Sequence, residues 1–126
     1  MPKFTKHFTL EEARSMLPAL RKKLEELAQL KSRMEKSDEK ISRLIGLGDD
    51  LGGPIINNQL RVLAAMKSIL LEIQQKGILI KDLDRGLIDF PSLRSGKEIF
   101  LCWEKDEDDI EFWHDLEVGF SGREKL

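Results

Sequence analysis

The side chains able to bind or react are concentrated in the last third of the chain. Asp82, Asp84, Asp89, Glu104, Glu111, Asp115 and Glu117 all lie within reach of His114 along the sequence. Divalent metals of hard or borderline character need several carboxylate or imidazole groups converging on one point, and neighbouring strands of a sheet can supply that convergence. Asp82 and Asp89 fall on adjacent strands of an expected hairpin, and Glu104 ends a third strand. If residues 110–117 were helical instead, Glu111, His114 and Glu117 would form i,i+3 pairs on one face. Glu-x-x-His is the spacing of carboxylate-bridged di-metal bundles, but those need the motif on two helices together with further acids, and this chain carries it once. The candidate metal ligands are therefore Asp89, Glu104, His114 and Glu117, with a divalent ion as the cofactor they would take. The reading favoured over it is that these acids are solvated or pair with Lys81, Arg85, Arg94 and Arg123.

Two further features bear on a site. The stretch "GFSGR", residues 119–123, brackets Phe120 with glycines and ends on Arg123. Glycine turns expose backbone N–H groups, and arginine offers a planar fork to a carboxylate or phosphate. Arg123, with Trp113 nearby in sequence, is thus either an anion-binding group or a clamp holding the C-terminal tail to an acid of the sheet; the clamp is the favoured reading. His114 beside Trp113 suits a half-buried histidine bonded to a backbone carbonyl better than a general base, because no Ser or Cys is placed to be its nucleophile. Cys102, between Leu101 and Trp103, reads as an inert buried thiol.

Strong catalytic signatures are missing: there is no Gly-Lys-Ser/Thr phosphate loop, no Gly-x-Ser-x-Gly, no His-Glu-x-x-His and no Cys-x-x-Cys. The single cysteine excludes an intrachain disulfide. A net charge of −2, with basic and acidic residues intermingled, argues against a nucleic-acid binder, although Arg14, Arg21, Lys22 and Lys23 form a local basic patch. No apolar run approaches the roughly 20 residues that span a bilayer, and "MPKFTKHFTLEEA" holds no apolar signal region, so export is not expected. A cytoplasmic location is expected.

The elements that must position these groups follow from the periodicity. Thr9 and Glu12 have capping-box spacing. From Leu10 onward the apolar residues run as heptad rows, Leu10, Leu17, Leu24 and Ala13, Leu20, Leu27, Met34, Ile41, the narrow seam of a coiled coil or helical hairpin. Pro18 should kink this helix or split off a first segment, Leu10 to Leu17. The helix should end near Gly46 to Gly48, followed by the glycine-rich loop "GLGDDLGGPI". A second helix is expected from Asn57 or Asn58 to Lys76, stopped by Gly77. Its apolar face, Val62, Leu63, Met66, Ile69, Leu70 and Ile73 broadened by Leu60, Ala64 and Leu71, is wider than the first helix can cover. The period then changes: residues 78–83 and 86–91 read as a β-hairpin turning at Gly86, with Pro91 ending the second strand, and residues 97–104 as a central strand apolar on both faces. Residues 110–114 read as a fourth strand in preference to a helix. The expected fold is α+β: one domain, 1–126, with a long antiparallel helical hairpin over 9–77 and a small three- to four-stranded antiparallel sheet over 78–126.

The stretches "FTLEEARSMLPAL", "KGILIKDLDRGLIDFPS" and "EIFLCWEKDEDDIEFWHDLEVGFSGREKL" together resemble the bacterial domain-of-unknown-function family 2203, across essentially the whole chain. The most specific parts are residues 86–91, Cys102-Trp103, Trp113-His114 and Gly119-Phe120-x-Gly122-Arg123. The resemblance implies a shared fold and that the C-terminal motifs act as one unit; it brings no activity, cofactor or substrate. The functional expectation is a non-enzymatic helical-hairpin interaction module that self-associates as a homodimer and meets a protein partner. Its alternative is a small-ligand or divalent-metal-binding domain with a site in the C-terminal β region.

Overall fold

The computed structural model describes residues 1–46, 48 and 53–126; half of the expected glycine-rich loop, residues 47 and 49–52, lies outside them. The Thr9 hydroxyl accepts from the Glu12 amide and the Glu12 carboxylate accepts from the Thr9 amide, both at 3.1 Å, so the capping box opens α1, Leu10–Ser15. The helical chain breaks at Met16 and resumes as α2, Leu17–Gly46. Pro18 explains the break. It has no N–H to return to the preceding turn, so it fits only the first turn of a new helix.

The third helix, α3, spans Gly53–Gln75 and starts earlier than the asparagines suggested. Pro54 occupies its first turn, where a missing N–H costs nothing. Gly77, at φ +87°, lies just past its end. The chain forms two compact units: Met1–Leu24 with Glu72–Leu126, and Glu25–Leu71. In the second unit α2 and α3 run antiparallel, with Ser37 bonded at 3.3 Å to Gln59 and Asp38 also bonded to Gln59. On α3, Ile55, Gln59, Val62, Met66 and Ile69 are shielded, whereas Ile56, Leu60, Leu63 and Leu71 are exposed. The shielded positions alternate spacings of three and four, so the partner helix covers only a heptad-like stripe of a wider apolar face.

The first unit is built on a five-stranded antiparallel meander in the order β1 (Leu79–Asp82), β2 (Leu87–Arg94), β3 (Lys97–Glu104), β4 (Phe112–Asp115), β5 (Glu124–Lys125). The fifth strand exceeds the expected count; it is a two-residue tail pairing Glu124 and Lys125 with Trp113 and Phe112. Gly86, at φ +65°, makes the first turn, and the Asp82 side chain accepts from the Arg85 amide at 3.1 Å. Residues 110–114 contain no helix, so Glu111, His114 and Glu117 do not share a helical face.

Pro91 does not end β2. The strand continues to Arg94, with Pro91 opposite Phe100. In an antiparallel ladder the N and C=O of one residue point to the same side. The Pro91 carbonyl accepts from the Phe8 amide at 2.7 Å, so its missing N–H faces the N-terminal segment and β3 loses no bond. That segment is latched further: Glu98 accepts from the Lys3 amide at 2.6 Å and the Phe4 amide at 2.9 Å, and sits 2.8 Å from His7 Nε2.

Alternation sorts the sheet into two faces. Ile88 and Phe90 of β2 share one face with Ile99, Leu101 and Trp103 of β3, and all are buried. Phe8 meets Phe90 edge-on and Arg21 lies over Trp103, so this face carries the N-terminal segment and the start of α2. Arg14 and Arg21 donate to carbonyls of Ile110, Glu107 and Asp108, tying α1 and the start of α2 to the β3–β4 turn.

Candidate functional site

The opposite face of the sheet holds the chemistry. On β2 it presents Leu87 and Asp89, on β3 Phe100, Cys102 and Glu104, on β4 Phe112 and His114. The register sets Asp89 directly across from Cys102 and Phe100 across from His114, so Asp89, Cys102 and His114 cluster on three consecutive strands. Their relative exposures are 2%, 0% and 3%. Asp89 is thus not a solvent-side residue of its hairpin: Phe100, Leu116, Val118 and Phe120 help to cover this face around it.

His114 Nε2 lies 3.1 Å from both carboxylate oxygens of Asp89, and His114 Nδ1 lies 2.8 Å from the Asp115 carbonyl oxygen. A carbonyl only accepts, so Nδ1 carries a proton. Nε2 faces the Asp89 carboxyl, so one further proton lies between them: the pair is imidazolium with carboxylate, or imidazole with carboxylic acid. Burial pushes the Asp89 carboxyl above its ordinary range, and the pull of His114, Lys81 and Cys102 in the other direction does not cancel this. Burial, reinforced by the Asp89 charge, pushes the Cys102 thiol up to about 12 despite the opposing pull of Arg123. Cys102 is therefore a neutral thiol, close enough to Asp89 and Arg123 for both to act on it. Among the described residues no buried side-chain polar atom lacks a partner.

Arg123 forms two parallel bonds of 2.9 Å to Glu107 and lies between the rings of Phe112 and Phe120, its guanidinium carbon 3.9 and 4.1 Å from their centroids. Glu107 also accepts from the Glu104 amide at 2.8 Å. The fork joins the C-terminal tail to the β3–β4 turn, so this arginine is already spoken for by a carboxylate. Trp113 points to the other face, with Arg94 4.6 Å over its ring. Glu104 lies 3.0 Å from Arg85 and stands apart from the cluster.

A cavity of about 260 Å³ opens over the buried pair. Asp89 and His114 form its polar floor; Leu87, Phe100 and Phe120 are among its walls; the exposed Lys81 and Glu117 stand at its rim. Of the four ligands expected from the sequence, the structure brings Asp89, His114 and Glu117 to one cavity and leaves Glu104 outside. Cys102 takes the missing place at the cluster. The sequence signal for it was the Ser95-Gly96 pair, which has the composition of a two-residue hairpin turn and in the structure has both φ angles positive, 52° and 78°. That turn fixes the β2–β3 register and so puts Cys102 across from Asp89.

The fold and site define an α+β protein with an antiparallel helix pair and an antiparallel meander that buries an Asp–Cys–His cluster. The chain belongs to the family described as uncharacterized conserved protein DUF2203, which it matches over residues 6–126. No curated protein and no solved structure matches it.

Proposed function

We propose that this protein is a small-ligand-binding domain whose ligand enters the cavity over Asp89 and His114. The observation that carries the reading is a polar pair buried at the floor of a pocket whose walls include Leu87, Phe100, Leu116, Val118 and Phe120. Ligand sites combine apolar walls with few, fixed polar groups in this way. The volume of about 260 Å³ suits a small metabolite. Lys81 and Glu117 bring opposite charges to the rim, which favours a neutral or zwitterionic molecule with an apolar body over a strongly anionic one. A thermal-shift screen of small amphipathic acids, amines and amino acids tests this, with Gly119→Phe as the control. Gly119 lines the cavity, its φ is not positive, and an added Cβ meets nothing within 4 Å, so the substitution fills the space without straining the backbone. Stabilisation seen in the parent and lost in Gly119→Phe supports the reading; no stabilisation by any class refutes it.

A second reading, self-association through α3, draws on a different observation. Leu60 is 58% exposed and Leu63 and Leu71 are each 43% exposed on a helix that carries few charges. A second copy of the chain would bury this stripe in a coiled-coil-like contact. Sedimentation of the intact chain against Leu60→Glu/Leu63→Glu decides it: a parent that stays monomeric at high concentration rejects the homodimer.

A further inference from the structure

We propose that Asp89, Cys102 and His114 form a three-ligand site for a borderline divalent metal ion of the zinc class, with the fourth coordination position facing the cavity. One ligand atom from each residue lies within 4.8 Å of the others, and the two Asp89–His114 separations are 3.1 Å. Metal–ligand bonds of about 2.0–2.3 Å arranged tetrahedrally place ligand atoms roughly 3.3–3.8 Å apart, so small side-chain adjustments within the existing cluster accommodate the ion.

Three independent features fit a metal centre. The donor set, one thiolate, one imidazole and one carboxylate, is the mixture that borderline zinc-class ions accept. His114 already donates its other ring N–H to a backbone carbonyl, the Asp115 oxygen at 2.8 Å, the usual outer partner of a ligating histidine. The charges close: a dication with thiolate, carboxylate and neutral imidazole is neutral overall, and the nearby Arg123 is balanced by Glu107. The cavity provides access because Asp89 and His114 line it. Three protein ligands with one open position is the arrangement in which an ion can also hold a ligand or water.

In the metal-free protein the cluster is held together by its own protons. Binding must expel them: the Cys102 thiol proton and the proton between His114 Nε2 and Asp89 both go to solvent as the metal bonds form. Each bound ion therefore releases roughly two protons near neutral pH.

The inference rests on the cavity reading only for the ion's access; fragment binding to chelator-treated protein tests that reading separately. The probe here is Co²⁺ titrated into the chelator-treated full chain. The expected result is one equivalent bound, a thiolate-to-cobalt charge-transfer band in the near ultraviolet, visible absorption of four-coordinate intensity, release of about two protons, and displacement by Zn²⁺. Cys102→Ser should remove the near-ultraviolet band, and Asp89→Asn or His114→Gln should weaken Co²⁺ binding by at least the roughly 10–100-fold that losing an outer-shell partner costs. If those variants do not fold, the parent spectrum and proton count decide alone. No Co²⁺ bound at stoichiometric excess, or Co²⁺ bound without a thiolate band, overturns the proposal.

Discussion

His114 Nε2 is equidistant, at 3.1 Å, from the two carboxylate oxygens of Asp89, and both side chains are almost wholly buried. Removing one partner of such a pair strands the other in a low dielectric, which costs about 3–5 kcal/mol. Asp89→Ala and His114→Ala should each lose stability on that scale, and the double variant should lose less than the sum because the stranded group is gone. Asp89→Asn is expected to be milder, near 1 kcal/mol, since its amide can donate to a neutral Nε2. Denaturant midpoints of the four variants check this; an Asn variant as unstable as Ala would contradict the hydrogen-bonded assignment.

Acid should release the N-terminal segment before it unfolds the sheet. The amides of Lys3 and Phe4, with His7, hold the Glu98 carboxyl down to about 2, from an ordinary value of 4.5. A depressed folded-state value means the contribution is present above 4.5 and fades as pH falls from there through about 2. Protection factors of the Lys3 and Phe4 amides, measured against their intrinsic rates at each pH, should fall across that window while β3 amides stay protected. Glu98→Gln should show fast exchange already at neutral pH.

Gly86 turns the first hairpin at φ +65°, and a Cβ there would come within 2.7 to 2.8 Å of the Lys105 side chain. The lysine can move, but the left-handed backbone still penalises an L side chain by roughly 1–2 kcal/mol. Gly86→Ala should lower the free energy of unfolding by about 1–2 kcal/mol, read from denaturant titration. Gly96→Ala, also at positive φ but in open space, should show the backbone penalty alone.

Arg123 is held by a two-pronged bond to Glu107 and by two aromatic faces. Lysine keeps the charge but neither the fork nor the planar stacking. Arg123→Lys should cost about 1–2 kcal/mol, close to Arg123→Ala. A lysine variant as stable as the parent would show that charge alone anchors the tail.

Much of the architecture was legible because it rests on local chemistry. The Thr9–Glu12 box, the break imposed by Pro18, the turn at Gly86 and the span of β3 all follow from patterns a few residues long. What escaped was relational. Pro91 is a strand breaker only if its nitrogen faces a neighbouring strand, and which way it faces depends on the pleat and on Phe8, far away in sequence. The pairing of Asp89 with His114 needs β4 to lie beside β3 at one particular register, which no local signal sets. Cys102 was readable as buried but not as a neighbour of Asp89, because that step required the Ser95-Gly96 turn to be counted through. Glu104 was placed at the right strand end, yet Arg85 in the hairpin turn holds it outside the cluster.

The account turns on the cavity over Asp89 and His114 being a binding site. Backbone amide shifts of the chelator-treated chain, recorded as each fragment that stabilises it is titrated, test that most directly. The expected result is a set of saturable shifts centred on Phe100, His114 and residues 118–120, absent in Gly119→Phe. Fragments that leave those amides unmoved, or that shift them equally in the filled variant, would contradict it.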